Sequence, residues 1–243
     1  MKLIQANIWG GRLDKQLNRF FREQNPDIIC LQEAVDAQGD GAMSITITKL
    51  TKDTSYNHVF FSPVFSFNLM QKVADFGNAI VSTKAPDEKH TVFTGLEYKQ
   101  NFDFDSDSGN IRNLQHAAYT YNGKKLHILN HHGHHIDQHK NGDAETMRQC
   151  SLIADYIKKL DGAVILTGDF NLAPHSESLE IINKILTNLS VSHRLKTTRN
   201  QLTYKTEVCD YIFVNELVEV KNFTASDELI ADHKALILDF ELI

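Results

Sequence analysis

Two short apolar runs, each ending in a carboxylate, most constrain what this chain can fold into. Ile28-Ile29-Cys30-Leu31 runs into Gln32-Glu33, and Ala163-Val164-Ile165-Leu166 runs into Gly168-Asp169-Phe170-Asn171. The first is continuous and apolar, as a strand buried on both faces must be. The second drives its polar tail to the carboxyl end of a strand, where sheet proteins tend to place their sites. Asp169 and Asn171 stand two apart, so in an extended segment they project to one side.

The rest of the chain alternates strand and helix signals. Residues 2–8 read as a strand. Leu13, Leu17, Phe20 and Phe21 recur at helical spacing until Asn25-Pro26 stops the helix. Strands are expected at 57–61, 65–70, 78–82 and 90–97, while 36–55 fits either strand or helix. Residues 101–110 form an acidic, turn-rich loop. Asn122-Gly123, between strands at 114–121 and 124–130, is the strongest hairpin signal. Asp143 is placed to cap a helix running to about Leu160. A strand at 163–168, a helix near 177–189 and strands at 209–215, 217–224 and 235–242 complete the pattern. No linker, repeat or low-complexity tract interrupts it. Residues 1–243 therefore read as one domain of many strands with a few helices packed outside.

Composition narrows the function classes. A hydrophobic content of 42% is enough for a sizeable core. The net charge of −6 leaves no basic surplus, which argues against tight nonspecific binding of nucleic acid by phosphate neutralisation. Cys30, Cys150 and Cys209 are odd in number and far apart, so reduced thiols with structural roles are expected. No stretch approaches the ~18 apolar residues of a membrane span. The N-terminus enters a strand pattern with no signal-peptide core. A cytoplasmic protein is expected, although a trimmed secreted form would look the same.

Several side chains suit a hard cation and a phosphate ester. Magnesium takes one or two carboxylates plus waters and substrate oxygens, and Glu33 with Asp232 would meet that demand. Asp169 would orient or deprotonate an attacking water, and Asn171 would hold that water or a phosphate oxygen. Asp210 would accept a proton from one nitrogen of His233, fixing its tautomer and favouring an imidazolium facing phosphate. His132 would act from the opposite side or protonate the leaving oxygen. Arg112 suits a bidentate phosphate clamp or an ordinary surface salt bridge. Asn78 is a candidate substrate contact. The run His131, His132, His134, His135 and His139 matches no structural-zinc pattern, and a substrate-facing loop is expected there.

Seven segments taken in order carry a family resemblance. They are Asn7-Ile8-Trp9-Gly10-Gly11, Pro26-Asp27-Ile28-Ile29-Cys30-Leu31-Gln32-Glu33, Gly77-Asn78-Ala79-Ile80-Val81-Ser82, Asn130-His131-His132, Gly168-Asp169-Phe170-Asn171, Asp210-Tyr211-Ile212-Phe213 and Asp232-His233. Together they resemble the endonuclease/exonuclease/phosphatase superfamily, the deoxyribonuclease-I-like proteins, over nearly the whole chain. The resemblance implies an α+β fold, a four-layer α/β/β/α sandwich of two mostly antiparallel sheets. It implies Mg²⁺ or Mn²⁺ held chiefly by Glu33, with Asn7 and Asp232 nearby. Asp169 and Asn171 would handle the water, Asp210 would orient His233, and His132 would contact the scissile phosphate.

Abasic-site endonucleases usually carry a tyrosine motif where this chain has Asn130-His131-His132, which argues against that activity. The usual Ser-Asp-His is Ala231-Asp232-His233 here. The expected function is a metal-dependent phosphoesterase acting on a phosphodiester of nucleic acid or of a phosphorylated small molecule. The rivals are an inositol-phosphate phosphatase, a sphingomyelinase-like headgroup enzyme, and a noncatalytic binding module on the same fold.

Overall fold

The computed structural model describes residues 1–37, 50–52, 54–69 and 72–243. In β1 (Lys2–Asn7) and β2 (Ile28–Ala37), successive side chains point to opposite faces, and both faces are apolar. Leu3, Ile28 and Cys30 join Tyr119, Ile128, Ile165, Ile212 and Leu238 in a core between two sheets. Ile4, Ile29 and Leu31 meet Leu17, Phe20 and Phe21 of α1 (Asp14–Gln24) on the other side. Burying each such side chain stabilises the fold by roughly 1.5–3 kcal/mol. A strand apolar on both faces therefore settles in the interior.

The first sheet adds β3 (His58–Leu69), β4 (Lys72–Ser82), β11 (Val218–Ala225) and β12 (Leu236–Leu242), in the order β11-β12-β1-β2-β4-β3. The second contains β5 (Glu88–Phe93), β6 (Asn113–Tyr121), β7 (Lys124–His132), β8 (Ala163–Asp169), β9 (Thr187–Asn188) and β10 (Asp210–Val214). Its order is β5-β6-β7-β8-β10-β9. Each sheet has one parallel pair, β1 with β2 and β7 with β8, among antiparallel neighbours. A helix joins each parallel pair: α1 the first, α2 (Ala144–Ile157) the second. Ile153 and Ile157 of α2, with Leu179 and Ile182 of α3 (Glu177–Asn183), cover the outer face of the second sheet. The result is the expected four-layer sandwich.

Several element boundaries differ from the sequence reading. The strands expected at 57–61 and 65–70 are one strand, β3, whose register shifts between Pro63 and Phe65. Proline lacks the N–H a ladder needs and is tolerated on this edge strand. The helix expected to reach residue 189 stops at Asn183. Asn188 then donates to Asn183 and caps the short α4 (Leu189–Ser192) by accepting from Val191 N, the local bonding by which asparagine competes with helix. β5 ends at Phe93 because Thr94 and Gly95 both turn to the Arg112 carbonyl. Most of the ambiguous 36–55 segment lies outside the described residues. Asp143 caps α2 in a reciprocal box with Thr146. All three cysteines are free and buried. Among the described residues no helix is long and apolar enough to cross a membrane.

Candidate active site

The carboxyl ends of the two parallel pairs converge, and local backbone irregularities aim the polar side chains between them. In β2, Leu31 faces Ala79 but Ala34 faces Gly77, so Gln32 and Glu33 form a bulge. Glu33 takes φ 57°, a left-handed backbone that non-glycine residues adopt mainly where the surroundings enforce it. The bulge keeps Gln32 inside the sandwich and turns Glu33 into the cleft. At the end of β8, Asn171 takes φ 55° and its N–H donates to Asp169 Oδ1 at 2.9 Å, closing an Asx turn. Gly168 is required just before it, because any side chain there would collide with the His131 carbonyl of β7.

Asn7 Nδ2 donates to Glu33 Oε1 at 2.9 Å and to Asp169 Oδ2 at 3.1 Å, linking the first sheet to the second. Asp169 Oδ2 lies 3.6 Å from His233 Nε2 and 3.9 Å from His132 Nε2. His233 Nδ1 donates to Asp210 Oδ2 at 2.8 Å. Asp169, Asp210 and His233 thus hold one ligand-type atom each within 4.8 Å of one another. Asp210 is fully occupied, however, since its Oδ1 also accepts from Gln5 Nε2 at 3.1 Å. This triangle is therefore a hydrogen-bonded ion cluster rather than an open metal cage. The open carboxylate is Glu33, whose one hydrogen-bond partner among the described residues is Asn7.

Charge is set by which neighbours accompany burial. Burial pushes Glu33 up, and the nearby Asp169 and Asp232 add to that, against the Asn7 amide and His233. Burial would also raise Asp169, but the charges of His233, His132 and Arg199 and the Asn171 N–H hold it well below the usual carboxylate range. Burial opposes a charged His233. Asp210 and Asp169 outweigh it and push that ring up to about 9. His132 is pushed well down by burial and then by the Arg112 charge. Two buried arginines complete the set. The Nε atoms of both Arg112 and Arg199 lack a partner among the described residues, and both residues line the cleft.

Behind the cleft runs a chain of buried amides. Gln5 Nε2 donates to Gln32 Oε1 at 2.7 Å, Gln32 Nε2 to Asn130 Oδ1 at 2.5 Å, and Asn130 Nδ2 to Gln115 Oε1 at 3.0 Å. The chain crosses between the sheets and ends on Asp210. A buried network of this kind fixes orientation, with Gln5 Oε1 left as its one atom lacking a partner among the described residues.

The cleft has a volume of ≈ 770 Å³ and is lined by Glu33, Arg112, His132, Asp169, Asn171, Asp232 and His233. Asn7 and Asp210 hold these from behind. Asn78 is placed apart: it is buried and donates to Asn113 Oδ1 at 2.9 Å, beside the cleft rather than in it. Of the histidine run, His131 is buried with Nδ1 on the Asn113 carbonyl, His132 and His135 reach the cleft, and His139 is exposed.

The sequence reading missed Arg199, which touches His233 Nε2 and lies 3.3 Å from Asp232 Oδ2. A lone arginine in a polar loop carries no signal; an isolated bridge to His233 brings it in. It also missed Lys140, whose Nζ donates to Asn171 Oδ1 at 3.1 Å, and Lys205 beside it in the cleft. Gln5 and Gln115 did carry a signal, as amides set in otherwise apolar strands.

Two mixed six-stranded sheets between helices, with carboxylates, imidazoles and arginines gathered at one end, define a deoxyribonuclease-I-like sandwich. The sequence pattern of the Endonuclease/Exonuclease/phosphatase family matches residues 4–233, and the chain belongs to that family. Its members are phosphoester hydrolases and generally depend on divalent metal. No curated protein sequence matches the chain.

Solved structures share the fold. A family protein from Leptotrichia buccalis is 17% identical with TM-score 0.72, covering 100% of both chains. A humanized D. rerio TDP2 is 17% identical with TM-score 0.71, covering 99% of this chain and 98% of that one. A Bacteroides thetaiotaomicron mannosyl-6-phosphatase is 16% identical with TM-score 0.67, covering 100% of both.

Proposed function

We propose that the chain is a metal-dependent phosphoesterase that hydrolyses a phosphodiester by attack of an activated water on phosphorus. One observation carries this reading. Asp169 is buried, held ionised, and set within 3.9 Å of both His132 and His233. Asp169 orients the water and takes its proton, a role worth roughly 10²–10⁴-fold in rate. Asn171, its amide fixed between Lys140 and the Gly133 carbonyl, holds the water's position. The charged His233 ring, kept in one tautomer by Asp210, faces the phosphate oxygens together with Arg112 and Arg199. His132, largely neutral near pH 7, donates a hydrogen bond to the phosphate from the opposite side.

The residues present fit a hard divalent cation. Glu33 is a half-buried carboxylate with no direct ion pair among the described residues, next to Asp169 and Asp232. Glu33 would hold the ion, with Asp232 and Asn7 at its margin. A bound Mg²⁺ or Mn²⁺ would neutralise charge building on the phosphoryl and leaving oxygens. Asn7 fixes the Glu33 carboxylate through its amide N–H.

The basic side of the cleft, with Lys205 and Arg199, favours a second reading: a phosphatase for a substrate bearing more than one phosphate. A phosphatase also occurs among the structures sharing the fold.

The test is hydrolysis of bis(p-nitrophenyl) phosphate with Mg²⁺ or Mn²⁺, then with chelator, beside p-nitrophenyl phosphate. Turnover of the diester that chelator abolishes is the expected result. Turnover of the monoester alone selects the second reading. Silence on both with either metal removes the catalytic reading and leaves a binding module.

A further inference from the structure

The cleft has two unlike sides, and the side along β3 and β4 has no part in the chemistry above. There Phe65 lies between two near-parallel rings, Phe76 at 4.9 Å and 8° and Phe102 at 4.2 Å and 19°. Phe104 stands across this stack, at 89° to Phe65, 84° to Phe67 and 81° to Phe102. Phe104 is 67% exposed, yet it lines the same cavity as Glu33 and Asp169. The polar side chain beside these rings, Asp107, is already paired with Lys99 Nζ at 2.7 Å. Beyond Arg112, then, β3, β4 and the 101–110 loop line this wall mainly with Phe65, Phe67, Leu69, Phe76, Phe102 and Phe104.

We propose that this wall is a subsite for an aromatic ring carried by the phosphoester substrate. The inference rests on the phosphoesterase reading and names the substrate class. Ligand sites are mostly apolar and aromatic with a few polar groups that fix orientation, and here Arg112, Arg199 and His233 are those groups at one end. Two aromatic surfaces meeting near a right angle form a corner. A flat ring in that corner meets one surface face-on and the other edge-on, the arrangements aromatic pairs favour. A flexible alkyl chain would gain contact area but lose rotamer freedom in lying there.

The test is calorimetric titration of the full chain, loaded with Mn²⁺, by phenylphosphonate, methylphosphonate and octylphosphonate. Phenylphosphonate should bind about 10-fold more tightly than methylphosphonate, and Phe104→Ala should bring that ratio towards one. Phe104 is largely exposed, so this variant should fold. Phe67→Ala provides a second check. Uridine 5′-monophosphate binding more tightly than phenylphosphonate would make the ring a nucleobase; weaker binding would make it a simple aryl group. Either supports the subsite. Equal affinities for phenyl and methyl, an unchanged ratio in Phe104→Ala, or tightest binding of the octyl compound would overturn it. Hydrolysis of bis(p-nitrophenyl) phosphate is measured on the same samples. Turnover without ring preference sinks the subsite alone, and ring preference without turnover sinks the catalytic reading alone.

Discussion

Two buried histidine centres lie on opposite faces of the second sheet, and they differ in charge: one ring is protonated and the other neutral. In the cleft, His233 sits against Asp210 at 2.8 Å and Asp169 at 3.6 Å. On the outer face, His127 Nε2 donates to the Asp161 carbonyl at 2.9 Å, so its Nδ1 accepts from His116 Nε2 at 2.9 Å. That leaves His116 Nδ1 to accept from the Tyr156 hydroxyl at 2.9 Å. All these bonds are satisfied by neutral rings. Burial is similar, with His233 4% and His116 3% exposed. Yet His233 is pushed up to about 9, and burial with the neighbouring His127 and His90 pushes His116 down to about 4. Burial alone does not set the charge of an imidazole; a carboxylate in contact does.

The largest predicted effects come from taking carboxylates away from the cleft centre. Asp210→Asn should remove the carboxylate charge that keeps His233 protonated and in one tautomer. We expect a loss in turnover of about 10²–10⁴-fold, with the His233 ring titrating well below 9 by NMR. A ring that still titrates near 9 would make Asp169 the partner that matters. Asp169→Asn should lower turnover by at least ~10²-fold with the fold intact; near wild-type turnover would strip Asp169 of its role. Glu33→Gln removes the cleft carboxylate that is held by the Asn7 amide and not by an imidazole. Its expected mark is a rise in the metal concentration giving half-maximal activity, because a hard cation loses a charged oxygen. An unchanged metal titration would place the ion elsewhere in the cluster.

The same contrast explains how much the sequence made legible. The cleft centre is built at strand ends, where an apolar run stops on a carboxylate (Glu33, Asp169) or starts from one (Asp210), so these three announce themselves. The partners of those groups follow from motif order, because the sandwich brings the ends of both parallel pairs to one place. The His116–His127 pair gave no signal, since each histidine looks solitary in its own strand and they meet only through the hairpin register. Arg199 was silent for a related reason: its loop approaches His233 through a single isolated bridge. The aromatic wall was hidden in plain view. Phe102 and Phe104 fall in an acidic, turn-rich segment that reads as solvated loop. Only the fold shows Phe102 stacked on β3 and Phe104 set edge-on to it.

The smallest predicted effect tests the outer centre through pH. The folded-state value of His116, about 4, lies below its ordinary 6.5, so the unfolded chain binds the proton more readily. Its stabilising contribution is therefore present above pH 6.5 and is lost as pH falls towards 4. For His233 the sign reverses, with the contribution present below 6.5 and lost as pH rises through about 9. Melting midpoints at pH 7 and pH 5 separate the two, because as pH falls across that window the His116 contribution is lost while that of His233 rises to its full value. His116→Gln keeps a polar side chain but removes the titration. The midpoint difference between the two pH values should shrink by roughly 2–4 °C, the shift that about 1 kcal/mol produces in a chain of this size. An unchanged difference would mean that acid acts elsewhere, and the contrast between the two centres would no longer extend to stability.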